Sequence, residues 1–434
     1  MGKYYTPDDV AKIMAQYFLE LPGTNIIDLC CGTGNLIFAV LNELGSEKAK
    51  QEIEAGHIYL YDIDETAVNI CLAILRNRYG DIVDNIHTVV QDCIFSSVSF
   101  PEDAKIISNP PYGKNTDLTK TKLVSAARTK ELYVAFFESV LYQKIPMVII
   151  TPHSFLGGNT FKELRKELYG GKIFAFDNVP GNIFKGKKFG IFNSNEANST
   201  RAAISILNPQ EKQIFIAPFI RFKTEERDKV LNKNFLDSLL PTYTQNNNGN
   251  ILYRIAPGTE EIVSKWFDSK KTFNSLLSTS KTEYKLDIPN TCRYYTSGAK
   301  RTLNRSGKIT VYCKDEDSFY LAYAFVNSSL CYYYHRICNG GITYPVTLLK
   351  EMPIFGKATP ELKEFCDNLI SNEENNLVLK KNAGSFQENI KIPMQDRIKL
   401  NNLLLQQINL TTSAALIKVH SNSCFSEESS LDEK

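Results

Sequence analysis

The chain has no apolar run long enough to cross a bilayer, which argues against a helical membrane protein. Its opening, MGKYYTPDD, has no apolar core of the kind that marks a secretory signal, and Gly2 has no acylation context. Net charge is scarce: 50 Lys and Arg against 48 Asp and Glu leave +2. A polyanionic partner would need local basic patches, because the overall field is weak. None of the ten cysteines forms C-x-x-C, so neither a disulfide framework nor a zinc knuckle is indicated. Free thiols in a reducing, cytoplasmic setting are expected. No His/Cys cluster suggests a metal, and no internal repeat is visible.

What is present is a soluble, globular composition, 43% hydrophobic and 23% charged, over 434 residues. That length exceeds one ordinary core, so two domains are expected. In the first half, short apolar strands alternate with helical patterns. DDVAKIMAQYFLE (8–20) carries Val10, Ile13, Met14, Tyr17 and Phe18 at helical spacing, with Asp8 as the expected N-cap. Strands are read in TNIIDL, HIYLYDID, HTVVQD, KIIS, PMVIITP, IFAFDNV and RAAISIL. Alternation of this kind means a parallel, helix-covered sheet, with ligands at the carboxyl ends of its strands. The rhythm fails after about residue 215, and PTYTQNNNGN (241–250) is the expected linker. The division is therefore 1–240, then 251–410, with a disordered tail at 421–434.

The fourth strand ends in an unusual corner, Asn109-Pro110-Pro111-Tyr112. Asn109 and Pro110 each precede a proline and are pushed into extended geometry. The result is a stiff turn presenting two acceptors, the Asn109 amide oxygen and the Pro110 carbonyl, followed by an exposed aromatic. An amine on a conjugated ring is a poor nucleophile because its lone pair is delocalised. Two acceptors holding its two hydrogens favour a pyramidal nitrogen with that pair released, and Tyr112 offers a stacking face. DLCCGTGN (28–35) closes the first strand, where Gly32 and Gly34 let a ligand approach the backbone. This glycine pattern alone fits a dinucleotide as well. Asp62 ends the second strand, placed for ribose hydroxyls, and Asp92 ends the third, placed for an adenine amine.

Taken together, YYTP, CGTG and NPPY in that order resemble the S-adenosylmethionine-dependent DNA adenine-N6 methyltransferases of type II restriction–modification systems, the gamma group in particular. The resemblance implies a doubly wound, Rossmann-like α/β catalytic sheet, followed by an α+β target-recognition domain. It implies that Tyr5 and Thr6 close over the cofactor, and that Asp28, Cys30, Gly32 and Gly34 line its methionine portion. Asp62 would hold the ribose, Ile63 and Phe136 would pack on the cofactor, and Asp92 with Cys93 would meet its exocyclic amine. Asn109, Pro110 and Tyr112 would be catalytic, and Phe184 would supply a second aromatic to the flipped base.

In the second half, residues 281–314 mix cations with Tyr and Thr. A single lysine there reads as solvated loop. As a group, Arg293, Lys300, Arg301, Arg305 and Lys308 read as DNA contacts. The Tyr332-Tyr333-Tyr334 run is expected in the core, and His335 is expected to be a satisfied surface or core histidine. The loop 113–130 is expected over the cleft or against DNA, and mobile without it. The expected protein is a cytoplasmic monomer acting on double-stranded DNA, with any restriction endonuclease a separate chain. Methylation of RNA or of a protein glutamine, or a catalytically silent DNA-binding specificity protein, are the alternatives.

Overall fold

Five strands of the first unit are near-continuous apolar runs, and each is buried because helices cover both faces of the sheet they form. The computed structural model describes residues 6–96, 98–177, 183–184, 201–241, 250–382 and 385–426. The chain divides into two compact units, Met1–Tyr253 and Arg254–Lys434. The strands of the first are β1 (Asn25–Leu29), β2 (Ile58–Asp62), β3 (His87–Val90), β4 (Ala104–Ser108), β5 (Met147–Pro152), β6 (Gly171–Ala175), β7 (Ala202–Leu207) and β8 (Ile214–Ile216). The helices that bear on the site are α1 (Asp8–Phe18), α2 (Asn35–Leu44), α3 (Ser46–Glu54), α4 (Glu65–Tyr79), α5 (Val124–Thr129), α6 (Leu132–Tyr142) and α7 (Lys162–Glu167).

The sheet order is β3-β2-β1-β4-β5-β7-β6-β8. From β3 to β5 every pairing is parallel. The chain runs outward from β1 through β2 to β3, then crosses back to place β4 on the other side of β1. That crossing leaves a crevice beyond the carboxyl ends of β1 and β4, where open α/β sheets take their ligands. Contrary to the all-parallel expectation, β7 inserts between β5 and β6 and runs antiparallel to both. Its sequence, AAISIL, is buried throughout, and an apolar run of that kind suits either direction. β8 and α3 are also additional to the expected elements.

Helix α1 buries Val10, Ile13, Met14, Tyr17 and Phe18, the face its spacing predicts. A side chain of that kind contributes ~1.5–3 kcal/mol on burial. The N-cap is Pro7 rather than Asp8, which lies in the first turn and favours the positive end of the helix dipole. The loop 113–130 carries helix α5. Glu138 of α6 is buried and accepts from the Ser125 and Ala126 amides at 2.8 and 2.9 Å, which caps α5 and pins the loop to α6.

The second unit is α+β. Strands β9 (Lys285–Pro289) and β10 (Lys308–Tyr312) pair antiparallel, and β11 (Leu377–Asn382) and β12 (Ser385–Ile390) form a separate hairpin. Helices 316–327 and 329–338 form its buried spine, which holds Tyr332, Tyr333, Tyr334 and His335. Arg397 is fully buried beneath them and donates to the carbonyls of Asn327 and Thr296, each at 2.9 Å. Its guanidinium carbon lies 5.1 Å from the Tyr295 ring centre. Burial pushes the Arg397 pKa down to about 10. His420 joins the same core, Nε2 to Ser329 Oγ at 2.9 Å and Nδ1 to the Tyr294 carbonyl at 2.7 Å. Residues 421–426, expected in the tail, include buried Ser421 and Ser423, and 427–434 lie outside the described residues. Among the described residues no helix is long and apolar enough to cross a membrane, and no cluster of three His, Cys, Asp or Glu could hold a metal.

Candidate active site

Leu29 and Ser108 sit opposite each other at the ends of β1 and β4, and the Ser108 hydroxyl donates to the Leu29 carbonyl at 2.6 Å. The two strands therefore release their chains at the same level, so that Cys30 and Asn109 open into one cleft. It has a volume of about 240 Å³. Thr6, Cys30, Gly32, Asp62, Ile63, Asp92, Cys93, Asn109, Pro110 and Phe136 all line it. Residues far apart in sequence, singled out on separate motifs, are thus brought to one cavity.

Backbone geometry explains the turn after β1. Cys30 (φ 64°), Gly32 (φ 52°) and Gly34 (φ 95°) all lie in left-handed conformations. At Cys30 this costs roughly 1–2 kcal/mol, because a side chain is present. The turn presents the Gly32 amide to Asp62 Oδ2 at 2.8 Å, while Asp64 N donates to Asp62 Oδ1 at 2.9 Å. Asp92 is fixed similarly, its Oδ1 accepting from the Ile94 and Phe95 amides at 2.9 and 3.2 Å. Both carboxylates are held by backbone donors at the ends of adjacent strands. The thiols of Cys30 and Cys93 are kept protonated: burial pushes Cys30 well up and Cys93 to about 11. They act as small apolar wall groups.

Two expected liners have other positions. Asp28 is fully buried below the cleft, where Oδ2 accepts from the Ile37 amide at 3.0 Å and Oδ1 has no partner. It braces the first turn of α2. Burial pushes its carboxyl up to about 7; the Ile37 amide opposes that rise and the Asp62 charge adds to it. Gly34 does not line the cleft either. A Cβ there would stand 2.4 Å from Cys71 Sγ, so this glycine serves the packing of α2 on α4. Tyr5 lies outside the described residues.

The corner itself is held from the N-terminal segment. Asn109 Nδ2 donates to Thr6 Oγ1 at 2.9 Å, which fixes the amide plane and the direction of its oxygen. Thr6 is in turn tied to α2, its carbonyl accepting from Asn35 Nδ2 at 3.0 Å. Neither bond is foreshadowed by a pattern, although Thr6, Asn35 and Asn109 all fall within the quoted motifs. Tyr112 departs from expectation. Only 7% of it is exposed, its hydroxyl donates to the Ile150 carbonyl at 3.1 Å, and it does not line the cleft. Its ring meets Phe184 edge to face, with centroids 6.0 Å apart. Of the segment 182–191, only Ile183 and Phe184 are described, and both are buried.

The cations assigned to DNA also divide. Arg305 donates to the Gly307 carbonyl at 2.8 Å, to Thr291 Oγ1 at 2.9 Å, to the Glu388 carbonyl at 3.1 Å and to the Asn389 side chain. Lys308 Nζ is held by Asp287 Oδ2 at 2.8 Å and the Leu303 carbonyl at 2.7 Å. Arg301 is paired with Glu374 at 2.5 Å and lies 3.7 Å from Glu388. Arg305 and Lys308 are internal braces, since their charged groups are hydrogen-bonded by the chain, and Arg301 is ion-paired to carboxylates of the same unit. Arg293 and Lys300 are exposed.

Known proteins are similar to parts of this chain. The type II methyltransferase M.VspI of Vibrio sp. (strain 343) is 27% identical over 197 residues, covering 43% of this chain and 45% of that one. The type II methyltransferase M.PstI of Providencia stuartii is 24% identical over 185 residues, 39% and 36% of the two chains. The chain therefore spans less than half the length of each of these relatives. Among solved structures, a modification subunit of a putative type I restriction enzyme from Vibrio vulnificus YJ016 gives a TM-score of 0.45 at 13% identity, covering 60% of this chain and 61% of that one. A family model described as N-6 DNA Methylase matches residues 1–249, more than half of the chain. The chain belongs to that family, the N-6 DNA methylases.

Proposed function

We propose that this protein transfers a methyl group from S-adenosylmethionine to the N6 amine of adenine in double-stranded DNA, as the modification enzyme of a restriction–modification system. The observation that carries the reading is the Asn109-Pro110 corner, which opens on the same cleft as Asp62 and Asp92. The cleft suits the cofactor by its acceptors and walls: two backbone-anchored carboxylates for hydroxyl and amine hydrogens, and apolar walls from Ile63 and Phe136. When bound, the cofactor supplies an electrophilic methyl group on a sulfonium.

The protein's part is positioning and acceptance of hydrogen bonds. Asn109 Oδ1 and the Pro110 carbonyl accept the two amine hydrogens and release the nitrogen lone pair. The same oxygens stabilise the positive charge that develops on that nitrogen. Its proton leaves only after alkylation, so no strong base is required. Holding the two reactants aligned supplies much of the acceleration. A base inside a duplex is out of reach and must be flipped, at a cost of a few kcal/mol. Tyr112 and Phe184 are the stacking pair in this reading, each worth ~1–3 kcal/mol. Because their rings are packed edge to face, a base enters between them only as they part. The second unit supplies DNA recognition, a restriction endonuclease would be a separate chain, and the reaction belongs in the cytoplasm.

The test is transfer of labelled methyl from the donor to plasmid DNA, ribosomal RNA and a release factor in parallel, with product analysis. Label on adenine N6 of the duplex is expected. Asn109→Ala should lower transfer by ~100-fold or more while donor binding is kept. Label confined to RNA or protein would overturn the substrate. Absence of donor binding by calorimetry would leave only a silent DNA-binding protein.

A further inference from the structure

The chain as a whole has a net charge of +2, yet residues 113–130, directly after the Asn109 corner, hold five cations against one acid. The cations are Lys114, Lys120, Lys122, Arg128 and Lys130, and the acid is Asp117. The rest of the chain is therefore net negative. Positive charge gathered in one segment draws a polyanion to that place rather than to the surface at large.

The segment is fastened at the rim of the cleft. The Gly113 carbonyl accepts from the Leu132 amide, and the Asn115 amide donates to the Lys130 carbonyl, each at 2.9 Å. Asn115 and Leu132 both line the cleft, so Lys130 leaves the chain beside it. Midway, Glu138 holds the Ser125 and Ala126 amides, and those two residues are buried. Val124 and Arg128 stand one turn apart on the opposite, exposed side of α5. The acids nearby already have lysine partners: Glu131 lies 3.8 Å from Lys114, Asp117 2.7 Å from Lys120, and Glu163 of α7 2.7 Å from Lys166. The Arg128 charge reaches Glu163 without pairing with it. Among the described residues, Lys122, Arg128 and Lys130 form no ion pair, and all three are exposed. That sets them apart from Arg305 and Lys308, whose charges the fold itself occupies. Lys122 and Lys130 flank a helix of six residues. Its length, about 9 Å, matches the rise of roughly three phosphates along one strand of a duplex.

We propose that this rim of the catalytic unit is itself a DNA-backbone contact, with Lys122, Arg128 and Lys130 on phosphates that flank the target adenine. The choice of duplex DNA as the polyanion rests on the methyltransferase reading; the gathered, unpaired charge does not. Phosphate contacts fix register and orientation without reading sequence. The rim therefore sets the Asn109 corner against the backbone, and base recognition is left to the second unit.

The experiment is fluorescence anisotropy of the full-length protein on a labelled random-sequence duplex across a salt series, run beside calorimetry with S-adenosylmethionine and the methyl-transfer assay. The variant Lys122→Gln/Arg128→Gln/Lys130→Gln should flatten log Kd against log [salt] by ~0.9 for each phosphate no longer neutralised. At ~0.1 M salt that slope corresponds to binding weakened by roughly 8-fold per contact. Lys48→Gln, on the exposed side of α3, removes a like charge elsewhere and should leave the slope unchanged. Melting and donor affinity should match wild type in both variants. A wild-type slope in the triple variant would overturn the inference. So would a loss per charge equal to that of Lys48→Gln, because net charge alone would then be at work. A parallel loss of donor affinity would overturn it as well, since the loop would then serve the cofactor. A slope that flattens on structured RNA and not on duplex DNA would remove DNA as the occupant, and failure of the wild type to bind any duplex would do the same. Wild type that binds duplex through this rim yet binds no donor and methylates nothing would overturn the enzymatic reading and leave the docking surface standing.

Discussion

Thr6 offers the sharpest test of how the corner is set. Its hydroxyl oxygen accepts the Asn109 Nδ2 hydrogen at 2.9 Å, and the residue is buried. Thr6→Val keeps the shape and removes the acceptor. A buried donor left without its partner costs ~1–3 kcal/mol. That penalty falls on the amide orientation that directs Oδ1 at the amine, so the competent orientation loses population by about 5- to 150-fold. Single-turnover methyl transfer on DNA should slow by that factor. Because Asn35 holds the Thr6 carbonyl rather than its side chain, the segment should stay in place. Donor affinity by calorimetry should therefore change much less than the rate. Thr6→Ser retains the oxygen and should recover most of the rate. A valine variant that turns over like wild type would refute the reasoning. A serine variant as slow as the valine variant would also refute it, because keeping the acceptor would then not keep the rate.

Other expectations concern stability. The Asp28 carboxyl lies at about 7 against an ordinary 3.8, so between those values the folded chain holds a proton that the unfolded chain has lost. Stability should fall as pH rises through that window, by up to ~4 kcal/mol from this group. Asp28→Asn keeps an acceptor for the Ile37 amide, and its melting advantage over wild type should grow from pH 5 to pH 8; a constant difference would remove the argument. Gly34→Ala combines a left-handed φ of 95° with a Cβ 2.4 Å from Cys71 Sγ. It should cost ~2–4 kcal/mol in chemical denaturation. Arg305→Ala should lower stability by ~1–3 kcal/mol while leaving the salt slope of DNA binding unchanged, as befits a brace. A flattened slope without loss of stability would return Arg305 to the phosphates.

Sheet and cleft are legible in the sequence because the central strands are mostly apolar and strand ends are marked by Asp62, Asp92 and the Asn109 corner. Spacing reveals which residues are near a ligand but not which of them face it. Within DLCCGTGN, Cys30 and Gly32 line the cleft, while Asp28 and Gly34 serve helix α2 from behind. No local pattern separates these roles. Strand direction is equally silent in sequence, which is why an apolar run such as β7 passes for a parallel strand. The second unit is harder because a charge declares its sign and not its partner. Lys308 and Arg305 look like DNA contacts in a string of letters, yet their partners, Asp287 and Glu388, lie 21 and 83 residues away. The hairpin beside them, with its Leu, Val and Lys, carries no motif.

Arg397 sits where three stretches of chain meet, around 296, around 327 and at its own helix, and it is answered there by carbonyls rather than by a carboxylate. His420 closes the same junction from close to the described end of the chain. Anyone trimming the protein for crystallisation or for fusion to another domain should cut beyond residue 426. A shorter version would expose a permanent cation whose hydrogen-bond partners are peptide oxygens, and aggregation of the truncated product should be the first sign.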